Sequence, residues 1–187
     1  MTIQQRKTKI RINPEFDSST RKAIASDVII RILKRSDEGL GVSGQPDDLG
    51  LYTGTENFPK YTPEYIRSEE FRRAGKTSTV DLKLSKRMLA DLQLLDDGEG
   101  FIELGFKNPK ENAKAEGNII GSYGRTPNAS KARNFLGITT QEYEEIVSPY
   151  AEKLNLDLLL FIPIGDTDRE EDENIDFTIF DELNNGS

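Results

Sequence analysis

Apolar residues along this chain fall into short periodic stretches, separated by polar segments with no period at all. Ile24, Val28, Ile29, Ile32 and Leu33 recur at helical spacing behind Asp17-Ser18-Ser19-Thr20, a run of N-capping residues. Residues 20–36 therefore predict an amphipathic helix. Val80, Leu82 and Leu84 alternate with Asp81 and Lys83, which predicts a half-buried strand over 79–84. Met88, Leu89, Leu92 and Leu95 then fit a helix over 86–95 capped by Ser85. Asp96 to Gly100 reads as a turn and Phe101–Phe106 as a strand. Asn108-Pro109 opens a helix that reaches Glu116 and Gly117, because proline suits the first helical position. Thr139-Thr140-Gln141-Glu142 is a capping box, and the helix behind it presents Tyr143, Ile146 and Val147; Pro149 should bend or end it before Leu154.

Three weaker stretches complete the pattern. Residues 3–12, with Ile10 and Ile12 in alternation, read as an edge strand or an extended arm. Thr62-Pro63 caps a short helix that runs through Glu70 or Arg73 and stops at Gly75. Residues 156–163 read as a buried strand and 175–180 as a last edge strand. Between these lie two long glycine-containing loops, 39–60 and 117–133. Helices and strands mix without a βαβ repeat, so the expected fold is α+β, a mainly antiparallel sheet packed with amphipathic helices, with long loops and extended terminal arms. A single domain over 1–165 is expected, with an N-terminal arm over 1–14 that leans on neighbouring subunits, followed by an acidic segment over 166–187. Leu82, Leu84, Met88, Leu89, Leu92, Ile102, Leu104, Phe106 and Ile146 are expected in one core.

Composition narrows the chemistry. The 187 residues contain no Cys, no His and no Trp. Disulfides, thiolate metal sites and cysteine nucleophiles are excluded within the chain, and the commonest general base and metal ligand is missing. No stretch approaches the ~18 apolar residues of a membrane helix, and no leader-like run opens the sequence, so a soluble, non-secreted chain is expected. The net charge of −8 is uneven. Residues 166–182 hold nine acids against Arg169, whereas residues 1–35 hold nine bases against three acids. That polarity suits head-to-tail contact between subunits.

Most motif matches lack their context. Gly39-Leu-Gly41-Val-Ser-Gly44 follows a helix instead of a strand, unlike a dinucleotide fingerprint. Gly75-Lys76-Thr77 mimics the end of a P-loop without its first glycine. Asp166, Asp168, Glu170 and Asp172 resemble calcium-loop oxygens, but Glu171 and Phe177 occupy the required Gly and Glu positions. No pair among the 33 acids is singled out as a glycosidase dyad. No catalytic, cofactor-binding or metal-ligating residue is assigned. The basic loop 117–133 remains: Tyr123, Arg125, Lys131 and Arg133, with Phe135 at its end, combine the aromatic and arginine anchors of contact surfaces.

Residues 61–147 carry several segments in a recognisable order. They are Tyr61-Thr62-Pro63-Glu64-Tyr65, Phe71-Arg72-Arg73-Ala74-Gly75-Lys76, Val80-Asp81-Leu82-Lys83-Leu84-Ser85-Lys86-Arg87-Met88-Leu89, Ile102-Glu103-Leu104-Gly105-Phe106, Ala113-Lys114-Ala115-Glu116-Gly117 and Arg133-Asn134-Phe135-Leu136-Gly137-Ile138. Together they resemble the tail-completion or neck proteins of long-tailed bacteriophages, the virion-morphogenesis and head–tail joining group. Ser85-Lys86 stands where that group has Thr-Gly, and Asn118 where histidine is common. The resemblance implies a non-enzymatic α+β protein that forms a ring, sixfold in that group, at the head–tail interface of the virion. It implies contact with connector or portal-side neck proteins and with tail tube or sheath proteins, assembly in the host cytoplasm, and DNA only as the genome passing through the channel. The alternative expectation from the residues is a nucleic-acid-binding accessory protein that uses loop 117–133; a small hydrolase with paired carboxylates is a further one.

Overall fold

The computed structural model describes residues 5–77, 80, 82, 87–122 and 126–154. The fold is α+β, as the pattern predicts. A three-stranded antiparallel sheet, ordered β1-β5-β4, is formed by β1 (Lys7–Arg11), β4 (Leu92–Asp96) and β5 (Phe101–Phe106). Lys7 pairs with Gly105 and Arg11 with Phe101, while Leu92 pairs with Phe106 and an irregularity interrupts the register between Leu94 and Asp96. A separate hairpin joins β2 (Leu40–Ser43) to β3 (Gly54–Asn57).

The strand period of two puts Ile10, Ile102, Leu104 and Phe106 on one face, and all four are buried. Helix α1 (Ser18–Asp37) covers that face with Ile24, Val28 and Ile32. Asp17 caps it, accepting a hydrogen bond from the Thr20 amide at 2.7 Å. Helix α6 (Thr140–Lys153) runs antiparallel to α1, and three polar contacts mark the pairing from end to end. Arg35 bonds Glu142, Arg31 meets Glu145 at 2.8 Å, and the Tyr150 hydroxyl donates to Asp27 at 2.7 Å. Helix α5 (Pro109–Ile119) adds Ala115 to the same core. Of the nine expected core residues, eight belong to this cluster; Leu84 lies outside the described residues.

Several expectations are corrected. Residues 86–95 do not form one helix: α4 (Arg87–Ala90) is a single turn, and Leu92 onward is strand β4. Leu92 fits a helical spacing with Met88, Leu89 and Leu95 and equally a period of two with Leu94, and pairing with β5 decides between them. The strand expected over 79–84 falls largely outside the described residues; Val80 and Leu82 are buried, but neither belongs to a described strand. The stretch 39–60 is not a plain loop, because it contains the β2–β3 hairpin. Its strands are four residues each; Leu40 and Val42 alternate in β2 over too short a run to announce a strand, and β3 has no large apolar residue. The short helix after Thr62 is two: Ser68 ends α2 (Pro63–Arg67) and caps α3 (Glu69–Arg73). Pro149 does not end α6, since it sits on the exposed side and removes only one amide donor.

At the N-terminus the edge-strand reading of residues 3–12 holds, and the extended arm expected over 1–14 is corrected. Residues 7–11 are a strand of the domain's own sheet, and Ile10, Ile12, Asn13 and Phe16 are buried within it. Alternating burial, two isoleucines deep, holds this segment without a neighbour. The turn after β2 lies against it. The Arg11 amide donates to the Leu49 carbonyl at 2.9 Å, and Asp47 accepts from the Leu49 and Leu51 amides at 2.9 Å each. Gly50 has φ 82°, and a Cβ there would collide with the Lys9 carbonyl oxygen. The expected strands over 156–163 and 175–180 and the acidic segment over 166–187 lie outside the described residues.

Candidate interaction surface

The expected contact residues separate in the structure. Tyr123 and Arg125 lie outside the described residues. Lys131 is exposed at the end of a 3₁₀ turn (Ala129–Lys131) that Asn128 caps through the Ser130 amide at 2.9 Å. Arg133, expected exposed, is half-buried. Its amide donates to the Asn118 carbonyl at 2.8 Å, and its guanidinium stands 5.3 Å from the Tyr61 ring centroid. Phe135 cannot contact a partner: it is fully buried against Phe106, their ring centroids 6.2 Å apart. Loop 117–133 is also shorter than expected, because α5 continues to Ile119.

Residues 133–139 form a strap across the middle of the fold. The Val42 amide donates to the Asn134 carbonyl at 2.7 Å, and the Tyr52 amide donates to Ile138 at 2.9 Å. Gly137, at φ 153°, leaves room for the Tyr52 ring, which occupies the space of a side chain there. From the other side Arg35 donates to the carbonyls of Phe135 at 3.1 Å and Gly137 at 2.6 Å, and also bonds the Glu142 carboxylate. Glu142 closes the capping box by accepting the Thr139 amide at 2.9 Å. Arg35 is 4% exposed. Burial pulls its pKa below the ordinary value while Glu142 pushes it back up. In the sequence Arg35 only counted among the nine bases of residues 1–35, and this role was missed. The usable signal was Glu142, an acid at the third position of a capping box, four residues from Ile138 and from Ile146, which needs a cation once buried.

At its first residue, Arg133, the strap meets a partly exposed surface. Tyr61, Tyr65 and Phe71 form an aromatic knot with centroid separations of 5.3, 5.4 and 5.5 Å, two of the pairs edge-on. Helices α2 and α3 pack principally on one another. Phe71 is their one buried side chain and stands apart from the main core cluster, which Tyr61 touches from outside. Ile66 is 42% exposed beside the knot. Burial raises the Tyr65 pKa first, with Glu70 adding to it, while Lys76 and Arg133 act the other way; both cations therefore share its surroundings. The α2–α3 unit is thus a projection of aromatic, aliphatic and cationic side chains, fastened to the domain at Tyr61 and Arg133.

The remaining candidates carry less. An open groove of about 500 Å³ is lined by Lys9, Arg11, Asp47, Asp48, Glu99 and Phe101, a mixture of signs in which the Lys9 ammonium sits 3.6 Å from the Phe101 ring centroid. Gly39 to Gly44 leads from α1 into strand β2, so no helix N-terminus faces its glycines. Among the described residues no three acids gather as a metal site, and no helix is long and apolar enough to cross a membrane. Compared with known proteins, the chain matches no family model, no curated protein and no solved structure.

Proposed function

We propose that this chain is a structural, non-catalytic subunit of a tailed-phage neck, forming a ring that completes the tail or joins it to the head connector. The observation that carries the reading is the α2–α3 projection. Five-residue helices are marginal on their own, and these two share an aromatic knot that meets the core cluster through Tyr61. Side chains of that kind, Tyr, Phe, Ile and Arg together, are the usual anchors of protein contacts. The ordered resemblance of residues 61–147 to neck proteins supports it, as does the opposite charge of residues 1–35 and 166–182. On this reading the partners are further copies of the chain, connector or portal-side neck proteins, and tail tube or sheath proteins, and the protein resides in the virion.

Native mass spectrometry and electron microscopy of the purified full chain test it. The expected particle is a closed ring, six copies by the resemblance, formed alone or on adding the connector and tail-tube proteins. A monomer under all of those conditions overturns the proposal. Tight binding to nucleic acid by the monomer would favour the accessory-protein alternative, although Arg133 faces Tyr61 and Asn118.

A further inference from the structure

The projection offers two chemistries side by side. Tyr61, Tyr65 and Ile66 supply apolar surface, and Arg72, Lys76 and Arg133 supply positive charge. One segment of this same chain complements both. Residues 166–182 carry nine acids against one base, and within them Ile175, Phe177 and Ile179 alternate with Asp176 and Thr178. We infer that the surface of Tyr61, Tyr65, Ile66, Arg72, Lys76 and Arg133 receives the acidic segment 166–182 of a second copy of this chain, a contact that rests on the ring reading above.

Two observations favour this occupant. The charges are opposite and dense on the acidic side, so attraction would steer the encounter and fix its direction around a ring. Nucleic acid is disfavoured because the whole chain carries −8 and because Glu64, Glu69 and Glu70 interleave with the cations of the projection. A donor from another copy follows from the ring reading, which needs complementary surfaces on neighbouring copies; the labelled-chain experiment below separates it from a donor in the same chain. The arrangement is heterologous, head to tail, which closes into a ring when the rotation between copies allows.

Photo-crosslinking of the full chain tests it. Ile66 is replaced by p-benzoylphenylalanine, and light and heavy nitrogen-labelled copies are mixed, irradiated and digested. Light-to-heavy crosslinks between position 66 and peptides from 166–182 are expected. They should fall at least tenfold in the Arg72→Glu/Lys76→Glu variant and in 0.5 M salt, on the order expected for a screened contact, and persist in Arg72→Lys/Lys76→Arg. Circular dichroism confirms that each variant is folded, and the salt series needs no variant at all. Crosslinks confined to single chains, crosslinks to other segments, crosslinks to nucleic acid, or none would each overturn the inference. Rings without these crosslinks would sink the contact and leave the ring reading intact. Crosslinked open chains or dimers would sink the ring reading and leave the contact standing.

Discussion

Leu104 sits at the centre of β5 with no exposed surface, between α1 and the neighbouring strands. Truncation to Ala leaves a cavity and is expected to cost about 2–5 kcal/mol, read as a lower urea midpoint at unchanged slope. A midpoint within experimental scatter of the parent would remove Leu104 from the core. Arg35 makes a different case, because its value lies in what it satisfies. Arg35→Met strands the Glu142 carboxylate and two strap carbonyls and is expected to cost about 3–5 kcal/mol. Adding Glu142→Gln should cost less than the sum of the two single changes, a coupling that a double-mutant cycle in urea measures. Leu104 was legible from strict alternation along one strand. Arg35 was not, since nothing local distinguishes it from Lys34, its exposed neighbour; burial came from a helix more than a hundred residues away.

The helices with explicit caps were the most legible elements. Asp17, Asn108 and Thr139 each accept an amide hydrogen bond where the sequence placed a start, because capping is decided within four residues. Thr139→Ala should therefore lower stability by about 1 kcal/mol, visible as a shifted thermal midpoint. Strand β4 and the β2–β3 hairpin were not legible, because their partners rather than their own periods define them. The α1–α6 pair has its own pH signature. The Tyr150 hydroxyl donates to Asp27, and this hydrogen bond, with burial, raises its pKa to about 12. A tyrosine pKa raised on folding contributes stability below about pH 10, the unfolded value. That contribution is lost as pH rises through about 12. The parent should therefore lose stability between pH 10 and 12, and Tyr150→Phe should lose less across that interval while Tyr143, pushed up to about 12 by burial, keeps part of the slope. Denaturant midpoints measured across that range decide it; parallel curves for parent and variant would detach Tyr150 from the effect.

At the scale of the whole molecule, the domain and its projection should differ in local stability. Trypsin is expected to cut after Arg67, Arg72 or Arg73 well before Arg31 or Arg35, because α2 and α3 share one buried side chain while α1 lines the core. Early cleavage within α1, followed by mass spectrometry, would contradict that order. The candidate surface was half legible: aromatic and basic letters pointed to the right neighbourhood, but Phe135 belongs to the core, and the half-buried Tyr61 and Tyr65, packed on a buried Phe71, carry the outward aromatic role. Which aromatics face outward depends on the strap's route across the core, a long-range property that residue type does not encode. The turn carrying Gly50 has a consequence for the molecule in a crowd. With Leu49 bonded to Arg11 and Gly50 seated on Lys9, part of the border of β1 is unavailable for strand addition by another chain. Proteins that accumulate before they are used risk runaway stacking of sheet on sheet into fibrils. A side chain at position 50 would lift this guard, so Gly50→Ala should show thioflavin-positive aggregation on storage.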